Sequence, residues 1–148
     1  MQKIKQTFHI LSYIQYPFLL IGLYFVIVPL FGRFEYYHLN PELLLEKINT
    51  GFIFFGIAIS FTTLQDPSKV SLKFEKKIWQ NPKWGKASLI LTAFLIVLIF
   101  SYGLLGFIIK EKIVQEFSFG CIVLGIGLIG YIKFSIEVFN NHRMDKNS

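Results

Sequence analysis

Charge is scarce in this chain: 16% of its 148 residues are Asp, Glu, Lys or Arg, against 53% hydrophobic and 18% aromatic. Soluble domains average about 25% charged residues, and a small soluble protein has proportionally more surface to keep wet than a large one. A chain this short and this apolar does not cover itself with polar groups in water. That argues against a cytosolic enzyme, a secreted disulfide scaffold and a disordered tail. Cysteine is nearly absent too. Cys121 stands alone, so there is no internal disulfide and no multi-cysteine metal site; near the outer end of an apolar run it reads as a small packing residue. The three histidines, His9, His38 and His142, are scattered and do not suit the paired axial ligands of a b-type haem. No Ser-His-Asp set, zinc-ligand spacing or membrane-facing carboxylate pair is visible, so neither a catalytic site nor a cofactor is expected. The nine carboxylates lie outside the apolar runs or near their ends, with Glu46 and Glu137 the most embedded. A proton-coupled exporter places one deep in the membrane.

What the sequence has instead is four long apolar runs, at about 8–31, 43–64, 87–109 and 117–139. A bilayer core about 30 Å thick is crossed by roughly 20 apolar residues in a helix. The third run is the cleanest. The second is crowded at its start by Glu46, Lys47, Asn49 and Thr50. The first follows Lys3 and Lys5 but is too long for a signal peptide and has no small-x-small cleavage pattern after Val28, so it reads as a retained anchor. Within it, Pro17 removes one backbone hydrogen bond and frees the Tyr13 carbonyl, which predicts a kink; Pro29 is expected to end the helix.

Basic residues set the orientation. With four spans, the N-terminus, the 65–86 loop and the C-terminal tail share one side. That side carries Lys3, Lys5, Lys69, Lys73, Lys76, Lys77, Lys83, Lys86, Lys133, Arg143 and Lys146, against Arg33, Lys47, Lys110 and Lys112 on the other. By the positive-inside rule both termini are cytoplasmic. The outer connections are short, which favours antiparallel neighbours. The expectation is an all-α integral membrane protein: one membrane domain, 1–148, forming an up-down-up-down four-helix bundle.

The 65–86 loop carries a further pattern. Asp66-Pro67 ends the second span and starts a new helix, and Asn81-Pro82 stops it. On a helical wheel Lys69, Lys73, Lys76 and Lys77 fall on one arc, Val70, Phe74 and Ile78 on the adjacent one, and Leu72 and Trp79 roughly opposite. This predicts a short cytoplasmic amphipathic helix in the headgroup plane, with lysines on phosphates and with Trp79 and Trp84 as interfacial anchors. Topology and depth setting is one use of such a loop; docking an acidic partner or anionic lipid is another. A small basic face turned to the membrane excludes nucleic acid as a partner.

Small residues mark where helices approach. Asn49, Gly56, Ser60 and Thr63 recur on one face of the second span, Gly120 and Gly127 stand seven apart in the fourth, and Cys121 and Gly125 four apart. These faces are expected to pack against other helices, of this chain or of another subunit. Gly125, Gly127 and Gly130 also fit G-x-G-x-x-G, with Asp145 twenty residues beyond Gly125. That fingerprint requires a strand-to-helix turn, whereas here the apolar run continues on both sides. Lys133 and Glu137 are expected to pair with each other or to reach the headgroups.

The runs 15–24 (QYPFLLIGLY), 56–67 (GIAISFTTLQDP), 77–82 (KIWQNP) and 123–130 (VLGIGLIG) resemble a group of small multi-span inner-membrane proteins of Bacteroidota. The resemblance covers most of the chain. It implies a bacterial inner membrane and supplies no activity or catalytic residue. Two functional expectations follow. The first is a non-enzymatic small subunit or scaffold of a membrane assembly, with the bilayer and a membrane protein or a second copy as partners. The alternative is a small homo-oligomeric transporter or channel lined by the kinked first span and by Asn49, Ser60, Thr62 and Thr63.

Overall fold

The computed structural model describes residues 2–32, 40–68 and 73–146, and among them all regular structure is helical. The elements are α1 (Gln2–Ser12), α2 (Gln15–Ile27) running into a π-helical turn (Val28–Gly32), α3 (Pro41–Thr62), α4 (Lys73–Gln80), α5 (Pro82–Gly106) and α6 (Lys112–His142), followed by a 3-10 turn (Met144–Lys146). Four helical stretches are long and apolar enough to cross a membrane: Gln6–Phe31, Pro41–Thr62, Pro82–Gly106 and Lys112–His142.

Proline chemistry explains the irregularities of the first span. A proline cannot donate to the carbonyl four residues back and its ring crowds that carbonyl. For Pro17 that carbonyl is Tyr13, and the helix is interrupted there, between α1 and α2. The backbone groups at the break are satisfied by tighter bonds: Tyr13 N–H to Ile10 O, Ile14 N–H to Leu11 O, and Tyr16 N–H to the freed Tyr13 O, at 3.1, 3.1 and 3.2 Å. The α-helix gives way again at Pro29, into the π-helical turn.

Helix ends differ from the limits of the apolar runs because helix caps, not hydropathy, set them. The third span begins at Pro82 rather than near 87. The Asn81 side-chain oxygen accepts from the N–H groups of Lys83 and Trp84 at 3.0 and 3.4 Å, and Pro82 occupies the first helical position. At 31 residues α6 is about 46 Å long at a rise of about 1.5 Å per residue. That is more than the thickness of a bilayer's hydrocarbon core, about 30 Å, and the last turns of α6 form a platform for the small α4 helix.

The row departs from chain order at one place, between the second and third spans. The α2 helix packs on α3, α3 on α6, and α6 on α5, so the fourth span stands between the second and the third. The first and third spans form the two flanks of this row. Neighbours in strict chain order would place α3 against α5; the 65–81 connection, which contains its own helix, is long enough for the third span to pass beyond the fourth.

The small α4 helix docks on the platform. Its described part is Lys73–Gln80; of the 66–81 helix read from the sequence, 69–72 lie outside the described residues, and Asp66 closes a turn by accepting from the N–H and hydroxyl of Ser68. Trp79, Phe134, Val138 and Phe139 form the buried cluster here, with Leu89 and Tyr131 against it.

Candidate functional site

The polar and small residues of the spans converge on the helix seams. Between α3 and α6 the contact is backbone on backbone: a Cβ on Gly127 would lie 2.5 Å from Gly56 O, and one on Gly56 2.6 Å from Val123 O. One end of this seam is fixed by Asn49, whose side-chain oxygen accepts from the Gly120 N–H at 2.9 Å. The two faces singled out in the sequence therefore meet each other within one chain. Gly125 is turned the other way, against the Phe100 ring of α5. Ser60 sits on the exposed rim and donates to Gly56 O at 2.8 Å.

Further close contacts lay outside the sequence reading. Gly22 of α2 and Gly51 of α3 approach each other, each backbone oxygen 3.1–3.2 Å from where the other's Cβ would stand. On the other flank Gly103 and Gly106 of α5 receive Ser118 of α6, which is fully buried and donates to Val114 O at 2.6 Å. Ala58 is also fully buried. Each seam of the row thus has small residues at its closest approach, the arrangement that lets helices associate in lipid without a hydrophobic driving force. The signal was present as Gly51 and Gly103, but isolated glycines in aromatic-rich helices carry no spacing motif.

The hydroxyls and amides proposed to line a pathway are engaged in structure. Thr62 donates to the side-chain oxygen of Gln15 at 2.6 Å, joining the second span to the first beside the helix break, and Gln15 is only 5% exposed. Thr63 donates to Ser60 O at 2.7 Å. Buried Ser12, on the other side of the break, donates to His9 O at 2.6 Å.

The loop anchors separate into two classes. Trp84 is 67% exposed, and Lys76, Lys77, Lys83 and Lys86 are exposed as well. Trp79, read from the sequence as a headgroup anchor, is instead 3% exposed, with its ring centroid 6.5 Å from that of Phe139. Its indole N–H donates to Glu75 at 3.3 Å, so the one polar atom of the buried ring is satisfied. Arg143 closes the same platform, 5.7 Å from the Phe139 ring centroid and 3.3 Å from Asp145. Lys73 begins α4, and Lys69 lies outside the described residues.

Recesses open at both ends of the row. At the end away from α4, about 540 Å³ is lined by Glu42, Glu46, Glu111, Glu116 and Lys112, the last two forming an exposed ion pair at 3.7 Å. Among the described residues no group of three or more His, Cys, Asp or Glu side chains converges as metal ligands would. At the α4 end, a cleft of about 240 Å³ is lined by Thr63, Gln65, Gly130, Lys133, Phe134 and Glu137, and one of about 320 Å³ shares Thr63 and Gln65 with it. No family model, curated protein or solved structure matches the chain.

Proposed function

We propose that this chain is a non-enzymatic integral membrane protein that works by association, as a small subunit or scaffold of a larger membrane assembly. One observation carries the reading. The four candidate spans form an open row whose inner seams are closed by glycine and by Asn49–Gly120 and Gln15–Thr62 hydrogen bonds, while its flanks present a continuous apolar surface. On α5, Ile90, Phe94, Val97 and Leu104 are all more than half exposed. Such a surface suits lipid or the helices of another protein.

The proposed setting is the bacterial inner membrane, in an up-down-up-down topology with both termini cytoplasmic. It rests on the eleven-to-four division of basic residues. The transporter or channel alternative draws less support. Thr62 and Thr63 each donate to a neighbouring group, Ser60 turns onto its own helix, and the Asn49 oxygen binds a backbone N–H of α6.

Crosslinking in native membranes followed by mass spectrometry tests the proposal. A reproducible membrane-protein partner at fixed stoichiometry is the expected result. Recovery of uncrosslinked monomer alone, with ion or solute flux from purified chain in liposomes, would move the assignment to the alternative. Reporter fusions at both termini are expected to read cytoplasmic, and a split result defeats the topology.

A further inference from the structure

The 240 Å³ cleft at the α4 end combines features that the scaffold reading leaves unused. Lys133 and Glu137 line it one helical turn apart on α6. Opposite charges four apart usually attract, but the order with lysine first is the weaker one. Here neither side chain forms an ion pair among the described residues. A cation and an anion therefore both face the same recess. Gly130 leaves space in its floor beside buried Phe134, and Thr63 and Gln65 close the opposite wall from the end of α3.

The surface leading into the cleft is apolar. Ile126 and Ile129 precede Lys133 by seven and four residues, which places them on the same stripe of α6, and they are 57% and 49% exposed. A soluble ligand gains nothing from that stripe. A lipid does, because its acyl chain lies along the isoleucines while its head reaches the charged turn. The charge pattern then selects the head. A phosphate suits the Lys133 ammonium, and a primary ammonium two carbons away suits the Glu137 carboxylate, with Thr63 and Gln65 oxygens as further acceptors. A choline head has no N–H to donate to Glu137, and a glycerol head has no cation.

We propose that this cleft is a binding site for one phospholipid with an ethanolamine headgroup, in the leaflet on the α4 side. The site does not depend on the scaffold reading, only on membrane insertion.

Full-length protein in mild detergent, offered equal amounts of phosphatidylethanolamine, phosphatidylcholine and phosphatidylglycerol, is measured by native mass spectrometry. Ethanolamine lipid is expected to be retained about tenfold over choline lipid, the scale of one charge-assisted hydrogen bond. Glu137→Gln should erase that preference while leaving residual binding through Lys133, and Lys133→Gln should lower retention of all three lipids. Both side chains are exposed, so both variants are expected to keep the wild-type circular dichroism and elution volume. An unchanged preference in Glu137→Gln overturns the site, as does glycerol lipid retained as well as ethanolamine lipid. Soluble phosphoethanolamine bound as tightly as the lipid overturns the lipid as its source. Release of the chain from membranes by alkaline carbonate defeats membrane insertion itself, a failure separate from that of lipid selectivity.

Discussion

Two tryptophans five residues apart have opposite environments. Trp79 fills the platform against Phe139 and gives its indole N–H to Glu75, while Trp84 projects from the first turn of α5. Truncating a well-packed core tryptophan costs about 3–5 kcal/mol, whereas exposed substitutions usually stay within about 0.5 kcal/mol. Trp79→Ala is therefore expected to release α4 and lower the unfolding midpoint, with Trp84→Ala close to wild type. Fluorescence checks the assignment directly. The variant retaining only Trp79 should emit at shorter wavelength and resist aqueous quenchers, and the one retaining only Trp84 should be quenched readily in detergent of small headgroup. Sequence composition did not separate the two rings. Both stand beside lysines at the edge of an apolar run, and only the excess length of α6, which supplies Phe134 and Phe139, buries the first.

At the scale of the helix, close approach rather than side-chain interlock sets the seams. Gly127 has no room for a Cβ because the obstacle is the Gly56 backbone, which cannot rotate away; Gly130, one turn on, faces only the Thr63 methyl at 3.1 Å. Gly127→Ala is expected to destabilise the fold by the about 1–3 kcal/mol typical of overpacking, or more. Gly130→Ala should fall near zero, since the small displacement of Thr63 is offset by the about 1 kcal/mol that alanine gains over glycine in a helix. Unfolding by denaturing detergent, followed by circular dichroism, ranks the pair. If both variants behave alike, backbone contact is not what closes the α3–α6 seam. Much at this scale was legible in the sequence. The hydropathy runs located all four long helices, and the glycine spacing located the α3–α6 faces. Element ends were less legible because Asn81-Pro82 acts as a helix cap inside what hydropathy reads as a polar loop. The α2–α3 and α5–α6 contacts were hidden, since Gly22, Gly51, Gly103 and Gly106 each sit among large residues.

For the molecule as a whole, the unexpected feature is the order of the row. Short connections favour consecutive neighbours, and the two short-connected pairs, α2–α3 and α5–α6, are indeed adjacent; only the long 65–81 connection leaves the second and third spans free to separate. What separates them is that α6 carries small residues on two sides, Gly120 and Gly127 toward α3, Ser118 and Gly125 toward α5, so that it fits between two helices better than at a flank. Phe117 reports both neighbours at once: its ring centroid is 5.5 Å from that of Phe52 on α3 and 5.6 Å from that of Tyr102 on α5. In a Cys121→Ser background, Phe117→Cys combined with Phe52→Cys, and separately with Tyr102→Cys, should each form an intramolecular crosslink with a short thiol reagent. A ring of chain-order neighbours would still allow the Tyr102 pair, but it would put α3 and α6 across a diagonal and leave the Phe52 pair unlinked. The Phe52 pair is thus the discriminating one, and its crosslink should appear as a shift in monomer mobility, independent of protein concentration. A concentration-dependent dimer band in its place would mean that α6 finds α3 in a second copy, turning the seam from an internal contact into a subunit interface.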